Sequence, residues 1–254
     1  MRPAQPAPAL TPEAREFVER VVALRPAVAA FDCDGTLWAG DAGAGFFYWE
    51  LERSDIVPTR FVDWIRQRYV DYQHGLVSEE AMCGEMVTIH EGVAVARLYE
   101  VAEEYFVSQV EQRIFPEMEE LVRRLGEAGC QLWAVSSTNE WVVRAGARRF
   151  GIPDENILAA RVYEEAGVAT GRLKMVPTDG DKAVALRAAL SGARAGKVHL
   201  VDAVFGNSVH DAAMLELAAH PFCINANPDL VQMAQPRGWS VYFPMQTAAH
   251  NSAP

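Results

Sequence analysis

The stretch "VAAFDCDGTLW", residues 28–38, constrains this chain more than any other. Its apolar start, Val28 to Phe31, does not alternate with polar residues. That predicts a strand buried on both faces, as inside a parallel sheet. Two carboxylates, Asp32 and Asp34, then stand one residue apart where the strand runs out. In open α/β sheets, ligands bind at the carboxyl ends of the strands. The plain reading is an Asx-rich turn with Gly35 supplying a positive φ. The other reading is a reaction centre, with one acid to attack or hold a metal and one to move a proton.

The rest of the chain supplies the strand's partners. A helix is expected from Thr11, with Pro12 at its first position, to just before Pro26. The first ten residues, rich in Pro and Ala, read as a loose arm. Between Asp41 and Phe115, apolar residues recur at spacings of three and four with charges between them, which predicts a group of helices. After Pro116, helices alternate with strands: "EMEELVRRLGEAG" then "CQLWAVSS", "EWVVRAGARRFG", a hairpin around Glu165–Gly167, "DKAVALRAALSGA", a strand from Val198 to Phe205, "HDAAMLELAA" and "PFCINAN". This order predicts a doubly wound, Rossmann-like α/β parallel sheet core, residues 1–40 and 116–254, with a small helical domain, 41–115, inserted after the first strand.

Composition removes several functions. The 254 residues carry a net charge of −11, which disfavours nucleic acid and anionic membrane as partners, since both need clustered Lys and Arg. The four cysteines, Cys33, Cys83, Cys130 and Cys223, show no zinc spacing and read as reduced thiols. With neither an apolar leader nor an 18-residue apolar span, a cytoplasmic enzyme is expected. The oligomeric state is left open.

Three more strand or helix ends carry polar groups. Ser136, followed by Ser137, ends the strand before the helix at Glu140, where a hydroxyl and free N–H groups suit a phosphate or simply cap the helix. Lys182 opens an apolar, Ala-rich helix, where a cation opposes the macrodipole and neutralising a phosphate would explain it. In "AVFGNSVHDAAML", Asn207 and Asp211 offer oxygens suited to Mg²⁺, against a plain cap by Ser208.

Acid pair, serine, lysine, then amide and acid, in that order, resembles the haloacid dehalogenase superfamily of phosphohydrolases. The four motifs span Phe31 to Asp211. The "GNSVHD" string looks like the "GDxxND" variant of its phosphoserine-phosphatase-like branch. The resemblance implies Asp32 as nucleophile, Asp34 as general acid/base, Ser136 and Ser137 on the phosphoryl group, and Lys182 neutralising it. Asp32, Asp34, Asn207 and Asp211 are then the expected Mg²⁺ ligands. Asn207 departs from the family pattern, because it replaces a carboxylate with an uncharged amide. Asp202 is an alternative, disfavoured because it falls inside an apolar strand. The helical insertion resembles a cap favouring a small phosphorylated metabolite.

The resemblance also marks Asp41, nine residues past Asp32, as a contact for a substrate amine; capping a helix is its plainer reading. Trp38, Phe46, Phe47, Tyr48 and Trp49 form a candidate cage for a quaternary ammonium, or simply pack the insertion. Arg53, Arg60 and Arg66 are candidates for a substrate carboxylate. His74, His90 and His199 lack ligand spacing, and His210 is expected beside the metal loop. The expected activity is Mg²⁺-dependent phosphomonoester hydrolysis through an aspartyl-phosphate. The alternatives are a phosphotransferase or mutase, and a weakly catalytic phosphate-binding protein. Halide removal is disfavoured, since those members usually lack the acid that Asp34 supplies.

Overall fold

The computed structural model describes residues 9–191 and 200–245. The first eight residues of the expected arm, the start of the strand expected from Val198, and His199 lie outside them.

Strand β1, Val28–Phe31, is wholly buried and lies mid-sheet. It pairs in parallel with β2, Gln131–Asn139, on one side and β5, Val201–Gly206, on the other. Outward run β3, Ile157–Glu165, and β4, Val168–Met175, beyond β2, and β6, Ala218–Ile224, and β7, Ser240–Tyr242, beyond β5. The order is β4-β3-β2-β1-β5-β6-β7, and only the β3–β4 hairpin is antiparallel. Its turn, Ala166-Gly167, has positive φ at both residues, which matches the twist of the flanking strands. The chain changes direction of growth at β1, so the carboxyl ends of β1, β2 and β5 form the switch-point crevice of a doubly wound sheet.

The pleat sends alternate β1 residues to opposite faces. Ala29 and Phe31 join one apolar cluster, and Val28 and Ala30 the other. The second face is covered by α8, Asp179–Leu190, α9, Ala212–Leu215, and α10, Pro228–Arg237, through Leu186, Met214 and Leu230. The first is covered by α1, Pro12–Ala23, with α6, Pro116–Glu127, and α7, Glu140–Ala147. Thr11 Oγ1 caps α1 by accepting from Ala14 N at 3.1 Å, with Pro12 at the first position, as expected.

Four helices lie between β1 and α6: α2, Ala42–Glu50, α3, Thr59–Gln73, α4, Glu79–Thr88, and α5, Val95–Tyr105. Their apolar side chains, Phe46, Ile65, Met82 and Leu98 among them, belong to the same cluster as Phe31. The segment before α5 also pairs with β4 through the main chain. Gly92 N donates to Ala169 O, Ala169 N to Val93 O, and Val95 N to Gly167 O, each at 2.9 Å.

Two element boundaries differ from expectation. Helix α9 is a single turn, and β6 starts at Ala218, because Ala218 pairs with Val201 at the start of β5. Strand β2 runs through Ser136 and Ser137 to Asn139, and Asn139 Oδ1 caps α7 by accepting from Val142 N at 3.0 Å.

Candidate active site

The crevice at the β1 and β5 ends holds the expected constellation. Asp32 is 4 % exposed. Its Oδ1 accepts from Lys182 Nζ at 2.8 Å and its Oδ2 from Thr36 Oγ1 at 2.9 Å. Lys182, in the first turn of α8 and itself buried, also donates to Asp211 Oδ1 at 2.7 Å. A cation near a helix N-terminus opposes the dipole, and two carboxylates facing it remove the conflict. Burial, then Asp211 and Asp34, push the Asp32 carboxyl up to about 7, against the pull of Lys182. The lysine stays charged, because its two carboxylates outweigh its desolvation.

Asp34 points toward the helical block. Its Oδ1 accepts from Trp38 Nε1 at 2.6 Å and Ala42 N at 2.7 Å, and its Oδ2 accepts from Thr138 Oγ1 at 2.7 Å. Burial and the charge of Asp41 raise it to about 6, despite these three donors. A carboxylate oxygen has room for two hydrogen bonds, so Oδ2 keeps one position for another group. Gly35 turns the chain at φ +76°, and the Asn207 carboxamide lies where a Cβ at Gly35 would be.

Two of the expected ligands make close contacts of their own. Asp211 is fully buried with Oδ1 on Lys182, while Oδ2 accepts from Asn207 N at 2.9 Å and Ser208 N at 3.1 Å. It forms a capping box with Ser208 and fastens the lysine. The Asp34 Oδ1 is filled by Trp38 and Ala42, while among the described residues Oδ2 accepts only from Thr138. The Asp32 carboxylate, with one donor on each oxygen, and the Asn207 amide also line the crevice. Asp202 lies at the opposite end of the sheet, where its Oδ2 accepts from Ala27 N and Val28 N, both at 2.8 Å.

A cavity of about 150 Å³ joins Asp32, Asp34, Ser136, Ser137, Lys182 and Asn207 to the helical block. Asp41 lines it and also caps α2, its Oδ1 accepting from Ala44 N at 2.7 Å. From the block come Tyr69 and Tyr72 of α3 and Glu79, Met82, Cys83 and Met86 of α4. The sequence reading missed this group. Its signal was present: Glu79, Met82, Cys83 and Met86 recur at helical spacing on one face of α4. The proposed aromatic cage is not here. Trp38, Phe46 and Phe47 are buried packing residues, and Tyr48 and Trp49 line a separate groove. Nor do the arginines reach the cavity: Arg53 pairs with Glu104, Arg60 with Glu91 and Arg66 with Glu52. His210 stands at the cavity rim, its Nδ1 facing Asp179 Oδ1 at 2.6 Å and Glu79 Oε2 at 3.2 Å.

A doubly wound sheet with an acid pair at its switch point and a buried lysine opposite defines a hydrolase class. The sequence profile of the haloacid dehalogenase-like hydrolases matches residues 29–216, and the chain belongs to that family. Its curated relatives include a phosphoserine phosphatase of Mycobacterium tuberculosis, 25 % identical over 230 residues, covering 85 % of this chain and 70 % of the relative. A histidinol-phosphatase of Neisseria meningitidis is 23 % identical over 221 residues, covering 84 % of this chain and 97 % of the relative. With these relatives, the chain is a phosphatase of the family. Among solved structures, a protein of unknown function from Bordetella pertussis Tohama I shares the fold with a TM-score of 0.70 at 24 % identity, over 84 % of this chain and 96 % of that one. A phospho-aspartyl intermediate analogue of phosphoserine phosphatase shares it at 0.53 and 15 %, over 87 % and 95 %. Among the described residues no helix is long and apolar enough to cross a membrane.

Proposed function

We propose that the chain hydrolyses a small phosphate monoester through a phospho-Asp32 intermediate, with Mg²⁺ as cofactor and residues 41–115 as the cap over the site. The observation that carries this reading is the Asp32 carboxylate. It is held by Lys182 and Thr36 at the floor of a cavity, with Asp34 one residue away on the cap side.

The donor set fits Mg²⁺. Asp32 and Asn207 offer hard oxygens, as this cation requires. Asp32 and Asp211, both buried, and the half-buried Asp34 set three carboxylates against one buried lysine, an excess of negative charge that a divalent cation offsets. Held by Asp32 and Asn207, Mg²⁺ would keep Asp32 ionised and draw charge from the phosphoryl oxygens.

The chain's own groups do the rest. Thr36 and Lys182 fix the Asp32 carboxylate, and its oxygen attacks phosphorus in line as the ester P–O bond breaks. Asp34, raised to about 6, gives its proton from Oδ2 to the departing alkoxide. It then takes a proton from water, whose oxygen attacks phosphorus, breaks the bond to Asp32 and releases phosphate. Ser136, Ser137 and nearby N–H groups receive the equatorial oxygens, with Lys182 countering their charge. The cap limits water around the covalent step. The small cavity and the names of the relatives, which point to phosphoserine and histidinol phosphate, support a small phosphorylated metabolite as substrate.

The test is phosphate release from a panel of esters across a Mg²⁺ titration, with Asp32→Asn alongside. Wild-type protein is expected to turn over, and Asp32→Asn to lose activity by at least roughly 10⁴-fold, the scale for removing a nucleophile. Retained activity in the variant would refute the intermediate.

A further inference from the structure

The cavity has two ends of different chemistry. At the floor, Lys182 is spent on Asp32 and Asp211. Toward the cap, the walls are Asp41, Glu79, two tyrosines and two methionines. Residues 41–115 contain six arginines and no lysine. Arg53, Arg60, Arg66, Arg68 and Arg97 each pair with an acid outside the cavity, and Arg113 lines a different groove. No arginine is therefore among the described residues of the wall.

The remaining basic group is His210 at the rim. Its Nδ1 faces both Asp179 and Glu79, so even when protonated it leaves that trio with net negative charge. Asp41 uses Oδ1 on its own helix start, and among the described residues nothing donates to its Oδ2. Burial is the main cause that pushes up the Tyr69 and Tyr72 hydroxyls and the Cys83 thiol; the charge of Asp41 adds to it at all three, and that of Glu79 adds more than Asp41 at Tyr72 and Cys83.

A leaving group entering this space meets negative charge and aromatic faces, with nothing to neutralise an anion. Resting on the phosphatase reading above, we infer that the substrate is the phosphate ester of an amine-bearing alcohol that carries no carboxylate. The ammonium lies between Asp41 and Glu79 against Tyr69 and Tyr72, where charge pairing and ring faces both favour a cation. A carboxylate on the same alcohol would enter the field of two acids with no guanidinium to receive it, so phosphoserine is disfavoured despite its amine.

The test uses the full chain with Mg²⁺ and compares kcat/KM for phosphoethanolamine, phosphocholine and histidinol phosphate with glycerol 3-phosphate and phosphoserine. The best amino-alcohol ester is expected to exceed both controls by about tenfold or more, the worth of one charge contact of ~1.4 kcal/mol. Glu79→Gln should narrow the ratio of amino-alcohol ester to glycerol 3-phosphate about three- to tenfold, since one partly screened charge is lost. Met86→Arg, which places a guanidinium in the wall, should move preference toward phosphoserine. Phosphoserine or glycerol 3-phosphate matching the amino-alcohol esters in the wild type overturns this inference and leaves the phosphatase reading intact. No phosphate release from any ester, p-nitrophenyl phosphate included, overturns both.

Discussion

At the scale of single residues, Asn207 sets the charge of the site. It packs against Gly35 and, on the proposed reading, offers the cation an uncharged oxygen beside the carboxylate of Asp32. Asn207→Asp adds a charge without changing shape, and ligand charge is what tunes affinity for hard cations. The half-saturating Mg²⁺ concentration for phosphate release is expected to fall by about tenfold; an unchanged value would place the cation away from residue 207. Gly35→Ala meets two obstacles, a left-handed backbone and a collision with the Asn207 amide. Thermal denaturation should show a loss of about 1–3 kcal/mol, the usual cost of a strained backbone position. The residues legible in the sequence were those whose chemistry contradicts their place: acids at the end of an apolar strand, a lysine at a helix start. Asp211 was legible as present but not in its orientation, because the donors that claim its two oxygens come from Lys182 and from the loop it caps. Thr36 and Thr138, which hold Asp32 and Asp34, carried no such signal.

At the scale of elements, the helical block is held by a buried polar pair as well as by packing. Glu50 Oε2 of α2 and His90 Nε2 share a hydrogen bond at 2.9 Å, and the imidazole lies edge-on to Trp141 of α7 at 4.8 Å. Both residues are essentially unexposed, and burial raises the Glu50 carboxyl. Removing one partner strands the other, so His90→Ala is expected to cost about 3–5 kcal/mol in urea unfolding. Glu50→Leu with His90→Phe, which removes both polar groups, should recover much of that loss. Helices and strands were legible because their periodicities differ, and the hairpin turn because Gly167 admits the required φ. Which face of α3 meets the site was not legible. α3 carries aromatic side chains on more than one face, Phe61 and Trp64 as well as Tyr69 and Tyr72, and only its packing against α4, which lies on β2, β3 and β4, brings Tyr69 and Tyr72 to the site. The run Phe46–Trp49 misled for the same reason: α2 turns two of its aromatics into the core and the others to a separate groove.

At the scale of the whole molecule, the site's charges couple folding to pH. The Asp32 and Asp34 carboxyls stand at about 7 and about 6 in the folded, metal-free protein, above the unfolded value of about 4. The folded state therefore binds more protons, and this contribution to stability is fully present below pH ~4 and lost as pH rises through 6 to 7. A cation competes with those protons, so Mg²⁺ should raise the melting temperature more at pH 8 than at pH 5.5. Equal increments at both pH values would show that the cation does not bind at these carboxylates. The main-chain ladder between β4 and the segment before α5 bears on how a substrate gets in. A lid hung only on its two chain crossings can swing as one piece. The helical block is also sewn to the sheet edge, and lifting it whole breaks three hydrogen bonds of ~1 kcal/mol each. The corner between α3 and α4, residues 74–78, lies outside this ladder; there Gly75 turns the chain at φ +73° and Leu76 is 77 % exposed. Amide exchange should be slow at Val95 and Ala169 and fast across that corner, so that the block loosens first by the breathing of one turn, well before it lifts whole.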